Sequence, residues 1–100
     1  MDDWPFADPP NVMSITTRQI VEEGVPILLV CREADDGSWL FLTGGPFDVA
    51  DGMSATLRSM VERDPSLIEL TDLPLGWQAW RERRESPWER GPADPVRDES

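Results

Sequence analysis

The stretch from residue 26 to residue 45, PILLVCREADDGSWLFLTGG, constrains the fold more than any other. Two apolar runs flank Ala34-Asp35-Asp36-Gly37, and an Asp-Gly step between apolar runs is the strongest short-range signal for a β-hairpin. With an even-numbered loop, Leu29 and Cys31 share a face with Leu40 and Leu42. Leu28, Val30 and Arg32 share the other with Trp39 and Phe41. Both faces are greasy, so the pattern predicts a central hairpin (26–33 and 38–43) covered on both sides.

The rest of the chain must supply the cover. Thr16 with Gln19 has capping-box spacing, with Ile15 and Ile20 placed as a staple and Gly24 as the stop, which predicts a helix over 17–23. Met53, Leu57, Met60 and Val61 recur at i, i+4, i+7 and i+8, predicting a second helix over 53–63. Asp64-Pro65 ends it and restarts a short helical segment over 65–70, with Asp64 as cap and Pro65 in the first turn. Residues 77–83, rich in Trp and following a Pro-Leu-Gly turn, read as a strand joining the sheet, which Trp88 continues after a break. The resulting fold class is α+β: an antiparallel sheet of about three to five strands with helices packed on it. The 100 residues suit one domain. It runs over 12–90, after an arm (1–11) whose Trp4 and Phe6 dock on the body, and before a disordered tail (91–100).

Charge and residue types narrow the function. The net charge is −11, and nothing basic opens the chain. Nucleic acid and anionic membranes are poor partners for such a protein, whereas a cationic protein is a good one. The N-terminus lacks the signature of a leader and no apolar run is long enough to span a bilayer, so a cytoplasmic location is expected. There is no His, Lys or Tyr, and a single Cys. Cys31, in mid-strand without a His to activate it, reads as a small buried hydrophobe. The chain is therefore expected to be no enzyme, with no catalytic or metal-binding residues and no cofactor.

Two constellations remain as contact candidates. Asp35, Asp36, Asp48 and Asp51 occupy two loops, where Asp also serves ordinary turn and cap chemistry. Trp80, Arg81, Arg84 and Trp88 combine the two residue types most enriched at interface hot spots, although Trp in such a segment is also ordinary core material. The first set suits a basic partner. The second suits a homodimer, the alternative role being a structural or regulatory domain. A metal-dependent enzyme built on the loop carboxylates is a third and weaker alternative.

Several landmarks occur together: Arg18-Gln-Ile-Val-Glu-Glu-Gly24, Cys31-Arg32-Glu33, Asp36-Gly37-Ser38-Trp39 with Phe41, Asp64-Pro65-Ser66, and Leu73-Pro-Leu-Gly76 with Trp80-Arg81. In their order over residues 14–90 the chain resembles a group of small bacterial proteins first catalogued as a domain of unknown function. That group is now classed as immunity-protein-like domains of polymorphic toxin systems. The resemblance implies a non-enzymatic binding protein that neutralises a cognate toxin. The sequence departs from that pattern at Cys31, where an aromatic is usual, and at Gly44-Gly45-Pro46, which replaces an acidic segment.

Overall fold

The computed structural model describes residues 4–45 and 48–93. It is α+β, with a mixed six-stranded sheet and a few short helices. In chain order the elements are β1 (Met13–Thr17), α1 (Arg18–Glu23), β2 (Leu29–Arg32), β3 (Trp39–Leu42), β4 (Gly52–Thr56), α2 (Leu57–Arg63), β5 (Trp77–Trp80) and β6 (Glu89–Pro92). Tight 3-10 segments occupy Val49–Asp51 and Pro65–Leu70. The strand order is β4-β1-β3-β2-β5-β6.

The hairpin lies at the centre of this order. Leu29 faces Leu42, Val30 faces Phe41, Cys31 faces Leu40 and Arg32 faces Trp39, the register that the two-sided pattern requires. Gly37 takes the left-handed conformation (φ 75°) that closes the turn. β5 pairs antiparallel with β2, as the Trp-rich segment was expected to do, but the strand stops at Trp80. β6 then adds to β5. Gly91 and Pro92 are thus part of the sheet and not of a tail, while residues 94–100 lie outside the described residues.

Three expectations need correction. The sheet is larger than three to five strands and is not purely antiparallel, because β1 runs parallel to β3 with Ile15 beside Leu40. Residues 53–56 are strand, not helix. Their apolar positions fit a 3.6 period only by continuing the pattern of α2; Met53 and Ala55 alternate with Ser54 and Thr56, and Thr56 caps α2 by accepting from Ser59 N. The first helix is capped by Thr17, not Thr16, and begins at Arg18. Thr16 belongs to β1, where its buried hydroxyl donates to Phe41 O at 2.8 Å. Ile15 therefore points away from Ile20, and the staple does not form: Ile20 is buried while Ile15 is 40% exposed. The stop at Gly24 (φ 75°) and the restart at Asp64-Pro65 are as expected.

One core cluster fills one side of the sheet. The sheet contributes Val30, Trp39, Phe41 and Ala79, and the elements above it contribute Ile20, Leu57, Met60, Leu67, Leu70 and Leu73. Burying a side chain such as Phe41 or Leu57 contributes about 1.5–3 kcal/mol. The N-terminal arm closes the same side: Phe6 packs edge-on against Trp39, with ring centroids 5.3 Å apart, and Asp8 accepts from the Trp39 indole at 2.8 Å.

Candidate functional site

The alternation of β-strand side chains divides the sheet into two unlike surfaces. The residues opposite the core form the second: Met13 and Ile15 on β1, Leu40 and Leu42 on β3, Leu29 and Cys31 on β2, and Trp80 on β5. None of them is buried; Met13 is 55% and Trp80 37% exposed, and the central four lie half-buried against one another. The two-sided cover predicted for the hairpin is thus present on one side only among the described residues. The helices and the arm all went to the other side.

Carboxylates stand at the margins of this open face. Glu33 continues the register of Cys31, and Glu89 sits directly across from Trp80 on β6; both are exposed. Partial burial in the sheet, and then the charge of Glu33, push the Cys31 thiol above its ordinary pKa, which works against the thiolate that thiol chemistry needs.

The four loop aspartates do not meet. Asp35 and Asp36 lie on the turn that precedes β3, whereas Asp48 and Asp51 precede β4 at the far end of the sheet. Three of them have a local task. Asp36 accepts from Ser38, side chain first and backbone second, which lowers its pKa. Asp48 caps the 3-10 segment by accepting from Ala50 N. Asp51 accepts from Gln19 at 2.9 Å and Arg18 at 2.7 Å, and these two bonds hold its carboxyl below the usual carboxylate range. No group of three or more Asp, Glu or Cys among the described residues converges as a metal site would.

The Trp/Arg segment splits. Trp80 is exposed on the open face, but Arg81, the next residue, is buried. Arg81 cannot serve as a contact residue, because its five donors are all engaged inside. Nε and Nη2 donate to Ile27 O, Nη2 also to Asp64, and Nη1 to Ser66 Oγ and Arg84 O. Trp88 covers this hub. Arg81 lies 4.1 Å from its ring centroid, and its indole donates to Ser66 Oγ at 3.1 Å. Arg84 is exposed and donates to Arg63 O. Of the four, Trp80 and Arg84 remain accessible, Arg84 on the rim of a groove of about 550 Å³ between α1 and α2. In that groove Arg63 donates to Ile20 O and the Ser59 hydroxyl to Thr56 O, so neither is set up as an acid, base or nucleophile.

Sequence reasoning missed Met13, Ile15 and the hairpin's outer leucines as surface residues. The signal was there in the sequence, since a hairpin apolar on both faces needs two covers and the chain has few segments to supply them. No helix among the described residues is long and apolar enough to cross a membrane. Comparison with known proteins finds no matching family model, no matching curated protein and no matching solved structure.

Proposed function

We propose that this chain is a non-enzymatic protein-binding domain that receives a basic partner on the open face of its sheet. The observation that carries the reading is the row of uncovered apolar side chains, with Ile15, Leu40, Leu42, Leu29 and Trp80 in one plane. Contiguous exposed apolar surface of this kind marks a site of protein association. Glu33 and Glu89 at its margins, in a chain of net charge −11, give the apolar centre and charged rim of a specific interface and favour a cationic partner. The resemblance to immunity-like domains supports the same class of role, neutralisation of a bacterial toxin by covering its basic working surface.

Affinity capture from the native host at low ionic strength tests this. A basic protein should bind and should be released as salt rises. Leu40→Asp should abolish capture while the chain still folds, with a smaller loss of stability than truncating Phe41 beside it, because Leu40 points away from the core. Recovery of no protein at low salt, or equal capture by Leu40→Asp, would overturn the proposal.

A further inference from the structure

The two edges of the sheet are unlike. β6 is a blunted edge: Glu89 and Arg90 are charged, Pro92 lacks a donor, and Arg90 is tied to Asp72 and to Glu69 O. β4, Gly-Met-Ser-Ala-Thr, carries neither charge nor proline. It presents the unprotected kind of edge that templates another strand.

The groups it presents follow from the ladder. Leu57 N donates to Val12 O, so residues 12 and 57 form a hydrogen-bonded pair. Alternation then turns Ala55 and Met53 toward β1 and leaves Gly52, Ser54 and Thr56 aimed at the free edge. Two of their groups are already used: Gly52 N donates to Val49 O, and Thr56 O accepts from the Ser59 hydroxyl. Among the described residues, Ser54 N–H, Ser54 C=O, Thr56 N–H and Gly52 C=O have no recorded partner.

We infer that a second copy of this chain pairs with β4, antiparallel and centred on Ser54. That register sets Ser54 against the partner's Ser54, which exchange both bonds, and sets each Thr56 N–H against a Gly52 C=O. The groups left over are the two already satisfied within each chain. Shifting the copy by two residues would leave a donor or acceptor unmatched. Within each chain Asp51 is paired with Arg18 and Arg58 with Glu62, so the register is set by the backbone groups and not by charge. Val49, the most exposed large apolar residue at 82%, precedes the strand and would be covered by the partner's α2. The two-fold axis stands perpendicular to the sheet. Both open faces therefore lie on one side, and the surface proposed to receive a partner is doubled.

Sedimentation of the wild-type chain over a wide concentration range should show a monomer–dimer equilibrium. Ser54→Pro removes a donor that the β1 ladder does not use, and should weaken association by at least about tenfold with little loss of circular dichroism. Should Ser54→Pro fold poorly, hydrogen exchange of the wild type decides. The Ser54 and Thr56 amides should be protected at high concentration and exchange freely on dilution. A wild-type chain that stays monomeric, a folded Ser54→Pro that dimerises equally well, or concentration-independent exchange at these amides would overturn the inference. Leu40→Asp lies off the seam and should leave dimerisation intact, so this result and that for the open face fail independently.

Discussion

The two faces of the sheet are built from residues of nearly the same polarity, yet they meet different fates. On β3, Trp39 and Phe41 are 2% and 0% exposed, while Leu40 and Leu42 between and beside them are only half-buried. On β5 the same division separates Ala79 from Trp80. Hydrophobicity of a strand residue does not by itself decide burial; the number of covering elements does. Among the described residues, α1, α2, the 3-10 segment over Pro65–Leu70 and the arm all contribute to the one core cluster on a single side of the sheet. A chain of this size can close one layer over a six-stranded sheet, and among the described residues the opposite face stays open.

Residues 80 and 81 carry the contrast to its extreme, because there the aromatic is outside and the charge inside. Arg81→Ala should cost about 3–5 kcal/mol, since it removes the cation beside the buried Asp64 carboxylate, whose Oδ1 keeps only its bonds from Ser66, and the donors to Ile27 O. Arg81→Lys should recover little of that, because an ammonium cannot reproduce the planar fork. Trp80→Ala should cost well under half as much by denaturant titration, and should act chiefly on partner capture. If Trp80→Ala proved the more destabilising, the open face would be structural and the comparison would collapse.

A second pair sharpens the comparison within a single strand. Phe41→Ala opens a cavity in the core and should cost about 3–5 kcal/mol. Leu40→Ala, one residue away, should cost about 1 kcal/mol, since its side chain keeps contact with solvent and can be replaced there. Equal costs for the two would mean that the outer side chains are covered in solution, which a concentration series would then trace to self-association.

The hairpin, its register and its facing pairs were legible because period-two alternation and an Asp-Gly turn act locally. Gly24, Asp64-Pro65 and the Trp77 strand were legible for the same reason. β4 was not, because residues 53–56 sit directly before a true helix and extend its spacing by coincidence. The parallel β1–β3 contact was hidden for a different cause: it joins segments more than twenty residues apart, and one residue pair, Ile15 with Leu40, records it. Cap assignment slipped by one position between two adjacent threonines, which turned Ile15 from core to surface. At the site, the Trp/Arg cluster was visible as composition, but only the third dimension assigns Arg81 to Asp64 and Ser66 and leaves Trp80 outside.

The smallest expected effect concerns the ends of the strands, which border both faces. Asp36, Asp51 and Asp72 all have lowered pKa values, through hydrogen bonds from Ser38, from Gln19 and Arg18, and from Arg90 respectively. A carboxyl with a lowered folded-state pKa binds fewer protons folded than unfolded in acid, so its stabilisation is fully present above the unfolded value of about 3.9 and is lost as pH falls through the folded value. The thermal midpoint should therefore be flat toward neutrality and decline below about pH 4. Asp51→Asn should flatten that decline slightly, and added salt should mute the difference, because the Arg18 partner is exposed to solvent. Arg18, whose own pKa is raised chiefly by its bond to Asp51, contributes nothing to the acid limb, since it stays protonated throughout that range. The apolar side chains of the core do not titrate. An acid decline that Asp51→Asn leaves untouched would therefore assign the acid sensitivity to carboxylates other than Asp51.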